Sequence, residues 1–218
     1  MGPIILSLEG NIGAGKSTLI AALRAAHPEW HFVDEPVEEW LQPDSTGRNL
    51  LKNFYEDKRR WAYTFQNAAL LSRSKALRDC ISNHAFSASQ VFITERSIEA
   101  DKNVFAAMLT ADGDMTPLEW SLYMRWYAQV AVETPVISGY IHLDTPVTIC
   151  HERIEQRARP GEVIEVEYLD RLDSRHFGWL HGGTTPVLRY DTYSQPKDQS
   201  SVKDVEAFVA RLSGPVQN

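Results

Sequence analysis

One stretch near the N-terminus, Gly10-Asn11-Ile12-Gly13-Ala14-Gly15-Lys16-Ser17, matches the pattern G-x-x-x-x-G-K-[ST] at every fixed position. The apolar run Ile4–Leu8 before it predicts a buried strand, and Thr18–Leu23 after it predicts the start of a helix. A strand, a glycine-rich turn and a helix in this order point backbone N–H groups and a helix N-terminus at one anion. The sequence therefore predicts an α/β fold that binds a nucleoside polyphosphate, and a chance glycine-rich turn is the disfavoured alternative.

Two side chains of this loop extend the prediction to charge and metal chemistry. Lys16 is placed to contact the β- and γ-phosphates, and the Ser17 hydroxyl is placed to bind Mg²⁺. The predicted phosphate-binding residues are Gly10, Asn11, Ile12, Gly13, Ala14, Gly15, Lys16, Ser17 and Thr18.

Length and composition favour one compact domain, residues 1–218, with 43% hydrophobic residues. The net charge of -7 and the absence of a Lys/Arg run argue against a nucleic-acid partner. Cys80 and Cys150 have no metal-like spacing, which favours a reducing compartment. No apolar stretch is long enough to predict a membrane span. The predicted location is cytoplasmic, because the first strand begins too early to leave room for a leader, although an organellar leader missing from this chain stays an alternative.

Apolar runs bounded by turn residues predict strands, and longer periodic stretches between them predict helices. This alternation is typical of a parallel sheet with helices on both faces. Thr116-Pro117 and Thr145-Pro146 are predicted N-cap and N1 pairs. The predicted strands are Ile4–Leu8, His31–Val33, Val91–Thr94, Tyr140–Leu143 and Val187–Tyr190. The predicted helices are Ser17–Arg24, Leu50–Asp57, Trp61–Ser82, Pro117–Val132, Val147–Gln156, Glu165–Trp179 and Val202–Leu212, and the tail after Ser213 is expected to fray.

Charged residues follow strands two and three, at the sheet edge where parallel α/β proteins bind ligands. Glu35 is placed to orient an acceptor hydroxyl and take its proton, whereas a plain helix N-terminal acid is the alternative. Glu95 could hold Mg²⁺, and Arg96 could steady Glu35 and the transferring group. A structural ion pair at a strand end remains an equal alternative for Glu95 and Arg96.

A third cluster contains three arginines in one helix and the residues that follow it. Arg153 and Arg157 share a helix face at i, i+4 spacing, and Arg159 precedes Pro160-Gly161, which predicts a helix end and a mobile loop. These residues predict a lid over phosphates, at about residues 153–164. The alternative is a solvated face paired with Glu152 and Glu155.

Seven motifs, in family order, resemble the deoxynucleoside kinases of the deoxycytidine and deoxyguanosine kinase type. They are GNIGAGKST, EPVEEW, NLLKNFY, WAYTFQ, ERSIEADKNVFA, the arginine cluster and EYLDRL, and they span Ile4 to about Tyr190. The resemblance implies a P-loop kinase architecture: a five-stranded parallel sheet flanked by helices, with a short arginine-rich lid. It implies ATP- and Mg²⁺-dependent phosphorylation of a deoxynucleoside 5′-hydroxyl in nucleotide salvage.

The resemblance also implies a role for each residue of the acceptor pocket. Glu35 resembles the family's base, with Arg96 beside it, and Gln66 resembles the residue that pairs with the nucleobase edge. Trp40 and Phe105 resemble the aromatic walls of the base pocket, and Tyr55 and Glu167 resemble the pair that holds the 3′-hydroxyl. Taken singly, Trp40 and Phe105 are more typical of a core, and Tyr55 is more typical of an ordinary amphipathic helix.

Three further positions bear on base preference. Ala69, Arg73 and Asp101 resemble the members that accept deoxycytidine and purines, because thymidine-preferring members have apolar residues at the last two. A buried Arg73–Asp101 pair would reject the thymine methyl group. The alternative is that this pair only bridges two helices.

Some features leave the expectation open. The segment from Asp191 to Asp198, where the family holds the donor adenine, is only loosely family-like, so the donor could be ATP or another triphosphate. The aromatic-rich helix Pro117–Val132 is expected at a homodimer interface, with a buried helix as the alternative. A nucleoside monophosphate kinase similar to thymidylate kinase and a GTP-dependent or regulatory nucleotide-binding protein are the rival functions. The first would need a basic acceptor pocket, and the second a guanine-reading Asn-Lys-x-Asp loop that the sequence lacks.

Overall fold

Five parallel strands form one sheet in the order β2-β3-β1-β4-β5. The computed structural model describes residues 2–84, 90–159, 164–192 and 199–214. The strands are β1 Ile4–Gly10, β2 His31–Val33, β3 Val91–Glu95, β4 Gly139–Asp144 and β5 Val187–Asp191. The predicted five-stranded parallel sheet is confirmed, and the strands differ from their predicted bounds only at the ends.

The central strand β1 is buried along its whole length. All seven of its residues are buried, and it pairs with β3 on one side and β4 on the other, so that Leu6 lies beside Ile93 and Gly139. A parallel strand covered on both faces needs a nearly continuous apolar sequence, which Ile4–Leu8 provides. The glycine-rich loop leaves from the carboxyl end of this strand and is therefore anchored in the core.

The helices cover the sheet and carry most of the acceptor-site residues. They are α1 Lys16–Ala26, α2 Val37–Trp40, α3 Leu50–Glu56, α4 Lys58–Ser82, α5 Ile98–Ala100, α6 Ala107–Ala111, α7 Pro117–Glu133, α8 Val147–Arg157, α9 Val166–His181 and α10 Gln199–Ser213, with a π-helical segment at Asp101–Ala106 between α5 and α6. All seven predicted helices are present. The additional helical segments α2 and Ile98–Ala111 lie directly after the two charged strand ends.

Helix starts match the predictions in one case and differ in another. Thr116 forms a capping box with Glu119, and Pro117 begins α7 as predicted. The Thr145 cap is wrong, because the N-cap of α8 is Pro146 and no side chain caps the helix. Thr145 instead donates its hydroxyl to the Ala14 carbonyl at 3.0 Å, which ties strand β4 to the glycine-rich loop.

Two of the apolar clusters are joined by Tyr55, which packs against both. One surrounds β1 with α1, α8, α9 and α10, and the other contains Trp40, Phe54, Phe65 and Tyr123 from α2, α3, α4 and α7. No helix within the described ranges is long and apolar enough to cross a membrane. The predicted loop at Pro160-Gly161, residues 193–198 of the predicted donor segment and the end of the predicted tail lie outside the described residues.

Candidate active site

A cavity of about 670 Å³ opens at the carboxyl ends of β1, β2 and β3. It brings the glycine-rich loop and the predicted acceptor residues to one place, which sequence spacing alone could not establish. The predicted residues that line it are Ile12, Gly13, Lys16, Ser17, Glu35, Trp40, Tyr55, Gln66, Ala69, Arg73, Glu95, Arg96, Asp101, Phe105, Arg157 and Arg159. This is the edge at which parallel sheets bind ligands.

The glycine-rich loop needs glycine for space as well as for backbone conformation. Gly13 has a φ of 81°, and a Cβ atom there would lie 2.4 Å from the Cys150 carbonyl oxygen. Gly10 has a φ of 141°, and its Cβ would lie 2.6 Å from the Leu143 carbonyl oxygen. Any side chain at either position would push the loop away from β4 and α8.

The side chain of Lys16 bonds to the backbone of the glycine-rich loop. Its ammonium donates to the Asn11 carbonyl at 2.9 Å, and more weakly to the Gly10 carbonyl at 3.4 Å. Burial, together with the nearby positive charge of Arg96, lowers the pKa of Lys16 to about 8, so the group is still largely protonated at neutral pH. A phosphate ligand would offer the charge partner that these neutral carbonyls do not.

Ser17 and Glu95 lie close enough to share a cation. The Ser17 hydroxyl donates to Glu95 Oε2 at 3.1 Å, across the gap between α1 and β3. Hydroxyl and carboxylate oxygens suit Mg²⁺, which binds few protein ligands and keeps water and phosphate oxygens for the rest. In the described part of the chain no three His, Cys, Asp or Glu residues cluster as a metal site.

Glu35 lies between two buried guanidinium groups. Its Oε1 is 3.2 Å from Arg73 Nη2 and 3.3 Å from Arg96 Nε, and its side chain keeps 21% of its surface exposed. Burial alone would raise the pKa of Glu35, but the charges of Arg73, Arg96 and Lys16 outweigh it and lower that pKa. The carboxylate is therefore ionised at neutral pH and partly open to the cavity.

Arg73 joins the strand ends to the helices around the predicted base pocket. Besides Glu35, it donates through Nε to Asp101 Oδ2 at 3.0 Å and through Nη1 to the Glu95 carbonyl at 3.2 Å. Burial opposes its charge, but Asp101 and Glu35 raise the pKa of Arg73 above its ordinary value. Asp101 begins the π-helical segment, so this irregular turn places its carboxylate beside α4.

Arg96 holds an unusual backbone conformation. Its φ of 65° is in the left-handed region, which costs a non-glycine residue roughly 1–2 kcal/mol. Its N–H donates to the Leu8 carbonyl at 3.1 Å, and its carbonyl accepts from the Thr94 hydroxyl at 3.0 Å. The neighbouring strands thus fix this conformation, and strain of this kind is typical of functional sites.

Gln66 lines the cavity and has one hydrogen-bonding atom without a partner among the described residues. The side chain is buried, and its Oε1 has no hydrogen-bond partner among the described residues. An unsatisfied buried carbonyl costs about 1–3 kcal/mol, which a ligand donor would recover. Trp40 packs nearby in this cluster and donates its indole N–H to the Ser72 hydroxyl at 3.1 Å, which fixes its ring.

The predicted sugar-binding pair is only half assembled. Tyr55 lines the cavity, whereas Glu167 is exposed in the first turn of α9 and does not. The next residue, Tyr168, does line the cavity and is buried. The role of Glu167 stays a prediction, since it lies close in sequence to residues outside the described ranges.

The three lid arginines have different surroundings. Arg153 donates through Nη1 to the Gly13 carbonyl at 3.2 Å and to the Ala14 carbonyl at 3.0 Å, so it supports the backbone of the glycine-rich loop. Arg157 is the last residue of α8 and lines the cavity. Arg159 follows a left-handed turn at Ala158, where φ is 44°, and also lines the cavity. The motion of a lid stays a prediction.

Three residues at or beside the candidate site, Phe54, Phe65 and His176, were not predicted from the sequence. Phe54 and Phe65 stack with centroids 4.6 Å apart and line the cavity. His176 contacts Arg96 from behind, although it lies 80 residues away in a polar stretch of α9. Helical periodicity marks the two phenylalanines only as core residues, and no local pattern marks His176.

Comparison with known proteins shows the family to which this chain belongs. The family described as deoxynucleoside kinase matches residues 6–212. The mitochondrial deoxyguanosine kinase of Xenopus laevis is 33% identical over 95% of this chain and 90% of its own length. Deoxycytidine kinase 2 of Gallus gallus is 36% identical over 84% of this chain and 76% of its own, and the human deoxycytidine kinase is 32% identical over 95% and 91%. The chain therefore belongs to the deoxynucleoside kinase family of phosphotransferases.

Proposed function

We propose that this enzyme transfers the γ-phosphoryl group of ATP to the 5′-hydroxyl of deoxynucleosides, and that it favours deoxycytidine and purine deoxynucleosides over thymidine. The proposal includes a role in nucleotide salvage and one catalytic domain over residues 1–218. One observation carries it: Glu35, ionised between Arg73 and Arg96, faces the same cavity as Lys16 and Gln66. The predicted phosphate-binding loop, a carboxylate and an amide whose Oε1 has no partner among the described residues thus line a single cavity.

The charge distribution supports a neutral acceptor. On the acceptor side, Arg73 and Arg96 are already paired with Glu35, and Arg73 also with Asp101. A monophosphate dianion would meet these carboxylates, whereas a sugar hydroxyl can donate a hydrogen bond to Glu35. This difference favours a nucleoside kinase over a nucleoside monophosphate kinase.

Glu35 acts in this proposal as a positioned base. Its lowered pKa makes it a weak base, so it accepts a hydrogen bond from the 5′-hydroxyl in the ground state. The hydroxyl oxygen becomes strongly acidic only as it bonds to the γ-phosphorus, and the proton then moves to Glu35. The leaving group is ADP, and the product is the 5′-monophosphate.

Residues around the donor phosphates offset the charge of the transfer. Lys16 and the N–H groups of the loop would hold the β- and γ-phosphates, and Arg157 and Arg159 would contact the transferring group. Ser17 and Glu95 would hold Mg²⁺, which neutralises phosphate charge when it is bound. Arg153 supports the loop through its carbonyls and so has a structural part in this scheme.

Base preference in this proposal rests on the Arg73–Asp101 pair. The two side chains are buried beside Ala69, which leaves space for a base edge next to polar groups. Gln66 would pair with that edge through its free Oε1 and its amide N–H. A thymine methyl group would desolvate the ion pair without a compensating contact.

Oligomeric state and location complete the proposal. Helices α4 and α7 pack together and carry large exposed apolar residues, Leu71 on α4 and Leu118, Trp126 and Val132 on α7. Such a surface supports a homodimer formed through this pair of helices. The free thiols of Cys80 and Cys150 support a reducing, cytoplasmic location.

The proposal is tested by a panel of acceptors with ATP and Mg²⁺. Deoxynucleosides, ribonucleosides and deoxynucleoside monophosphates are incubated separately, and 5′-phosphorylated products are identified by chromatography. We expect deoxycytidine and purine deoxynucleosides to be phosphorylated and the monophosphates to be unreactive. Phosphorylation of monophosphates alone, or hydrolysis of ATP without transfer to any acceptor, would overturn the proposal.

A further inference from the structure

His176 and Glu35 contact the guanidinium of Arg96 through different nitrogen atoms. Arg96 Nη1 lies 3.2 Å from His176 Nε2, while Arg96 Nε lies 3.3 Å from Glu35 Oε1. Arg96 lines the cavity and His176 does not, and the imidazole is completely buried. The two contacts therefore use different N–H groups of one planar fork, and they determine its orientation together.

The hydrogen bonds of His176 determine which nitrogen carries its proton. Nδ1 lies 2.8 Å from the Leu172 carbonyl oxygen, which can only accept, so Nδ1 is the protonated nitrogen. Nε2 then presents a lone pair to Arg96, which can only donate. Burial and the nearby charge of Arg96 lower the pKa of His176 well below its ordinary value, which keeps the ring neutral.

The ring of His176 is also held on its other sides. Phe105 meets it edge-on at a centroid distance of 6.0 Å, and His142 lies parallel to it at 6.4 Å. The Arg96 guanidinium lies 4.7 Å from the centroid of Phe105, so the arginine and the histidine contact the same aromatic ring. The imidazole has little freedom to turn its Nε2 away from Arg96.

A neutral acceptor has a specific advantage at this position. A second carboxylate behind Arg96 would compete with Glu35 for the guanidinium and draw it away from the cavity. A side chain without an acceptor would let the guanidinium rotate and pair more fully with Glu35, which would make that carboxylate less available to a hydroxyl. An imidazole fixes the plane of the guanidinium and leaves its charge for the cavity.

We infer that His176 is a positioning residue for phosphoryl transfer: its neutral Nε2 holds Arg96 so that Nε stays on Glu35 and the guanidinium stays turned toward the transferring group. This inference rests on the proposed function, in which Arg96 is paired with Glu35, and on the predicted contact of Arg96 with the transferring group. Because His176 is buried and does not line the cavity, we expect it not to contact substrate. Its removal should therefore lower turnover while substrate binding changes little.

Three substitutions separate this role from ring packing. His176→Gln places an amide oxygen near the position of Nε2, whereas His176→Asn keeps a donor for Leu172 but reaches less far. His176→Phe keeps the ring volume without any acceptor. We expect Asn and Phe to lower kcat about tenfold with KM values within about twofold, as for a misplaced catalytic group, and Gln to stay within about threefold of the parent. Thermal unfolding and the oligomeric state are measured for each variant.

A double-mutant cycle with Arg96→Ala completes the test. If His176 acts through Arg96, His176→Asn or His176→Phe causes no further loss of kcat in the Arg96→Ala background. Equal losses in the Gln, Asn and Phe variants, or the same loss with and without Arg96, would overturn the inference. Parent-like turnover of Arg96→Ala would overturn it together with the role of Arg96. A parent enzyme that phosphorylates no deoxynucleoside would instead refute the proposed function.

Discussion

Arg73 donates through Nε to Asp101 Oδ2 at 3.0 Å, and both side chains are buried beneath the candidate base pocket. A buried ion pair contributes little net stability, but breaking it by removing one partner costs roughly 3–5 kcal/mol. The pair lines the cavity, so a role in recognising the nucleobase is favoured over a role in stability. Arg73 also contacts Glu35. One guanidinium therefore links the proposed recognition of the nucleobase to the carboxylate that is proposed to accept the proton.

Replacement of both partners tests base preference. In the double variant Arg73→Met/Asp101→Leu no unpaired charge is left behind, and the pocket accepts an apolar base edge. We expect the kcat/KM ratio of thymidine to deoxycytidine to rise about tenfold or more, while overall turnover falls because Glu35 loses a partner. Lys75→Met/Asp79→Leu, which removes an exposed ion pair on the same helix, is the control. An unchanged ratio would return Arg73 and Asp101 to a structural role.

Gln66→Leu should separate binding from stability. The substitution removes the buried Oε1 that has no partner among the described residues, so the thermal midpoint should stay equal or rise. The same change removes the pairing group for the base, so the KM for deoxycytidine should rise at least about tenfold while that for ATP stays constant. Asn67→Leu changes the neighbouring amide, which bonds to the Tyr63 carbonyl and does not line the cavity. A parent-like KM in Gln66→Leu would refute the assignment.

His27 gives a stability contribution that depends on pH. It lies 2.9 Å from Glu29 and 2.8 Å from Glu206, and although burial opposes the charged ring, these carboxylates raise the pKa of His27 above 6.5. Protonation is thus favoured by folding, so the stabilisation is complete below the unfolded pKa of about 6.5 and is lost as pH rises through the folded value.

His27→Phe keeps the ring that stacks on Trp30 and removes the charge. The difference in unfolding midpoint between parent and His27→Phe should be largest at about pH 6 and should shrink at about pH 8.5. Glu206→Gln should show a similar dependence, measured by circular dichroism at constant ionic strength. A difference that stays constant over this range would show that the ion pairs do not contribute.

The proposed dimer predicts a response to charge on α7. Trp126 is 54% exposed, and Trp126→Arg places a cation on the proposed interface. We expect this variant to sediment as a monomer at micromolar concentration, where the parent sediments as a dimer. Phe177→Arg makes a similar change on α9 and should leave the dimer intact. A monomeric parent would remove the proposed interface.

The sheet and the phosphate-binding loop follow from local sequence. Ile4–Leu8 is apolar apart from Ser7, as expected for a strand that is covered on both faces, and Gly10 and Gly13 stand where a Cβ would strike Leu143 or Cys150. The apolar strand and the glycine pattern are both visible in residues that are close together in the sequence. Thr145 failed as a predicted cap because its hydroxyl bonds to Ala14 instead, a contact made across the fold.

The arrangement of the acceptor site depends on contacts between distant residues. Charged residues at the ends of β2 and β3 were expected to meet, but the third partner, Arg73, comes from the middle of α4. The π-helical turn that brings Asp101 to Arg73 has no distinct periodicity in the sequence. His176 reaches Arg96 only because α9 packs against the π-helical segment, a tertiary contact that no local pattern encodes.

Turnover of Glu35→Gln with deoxycytidine, ATP and Mg²⁺ tests the central claim most directly. The variant keeps the size of the side chain and removes its charge, so ATP binding, followed by calorimetry, should change little because Lys16 and the loop are untouched. The matched control is Glu39→Gln, an exposed acid in the next helix that does not line the cavity. We predict that kcat of Glu35→Gln falls about 10²-fold or more while Glu39→Gln keeps the parent's rate. Parent-like turnover of Glu35→Gln would contradict the proposal that Glu35 takes the proton of the 5′-hydroxyl.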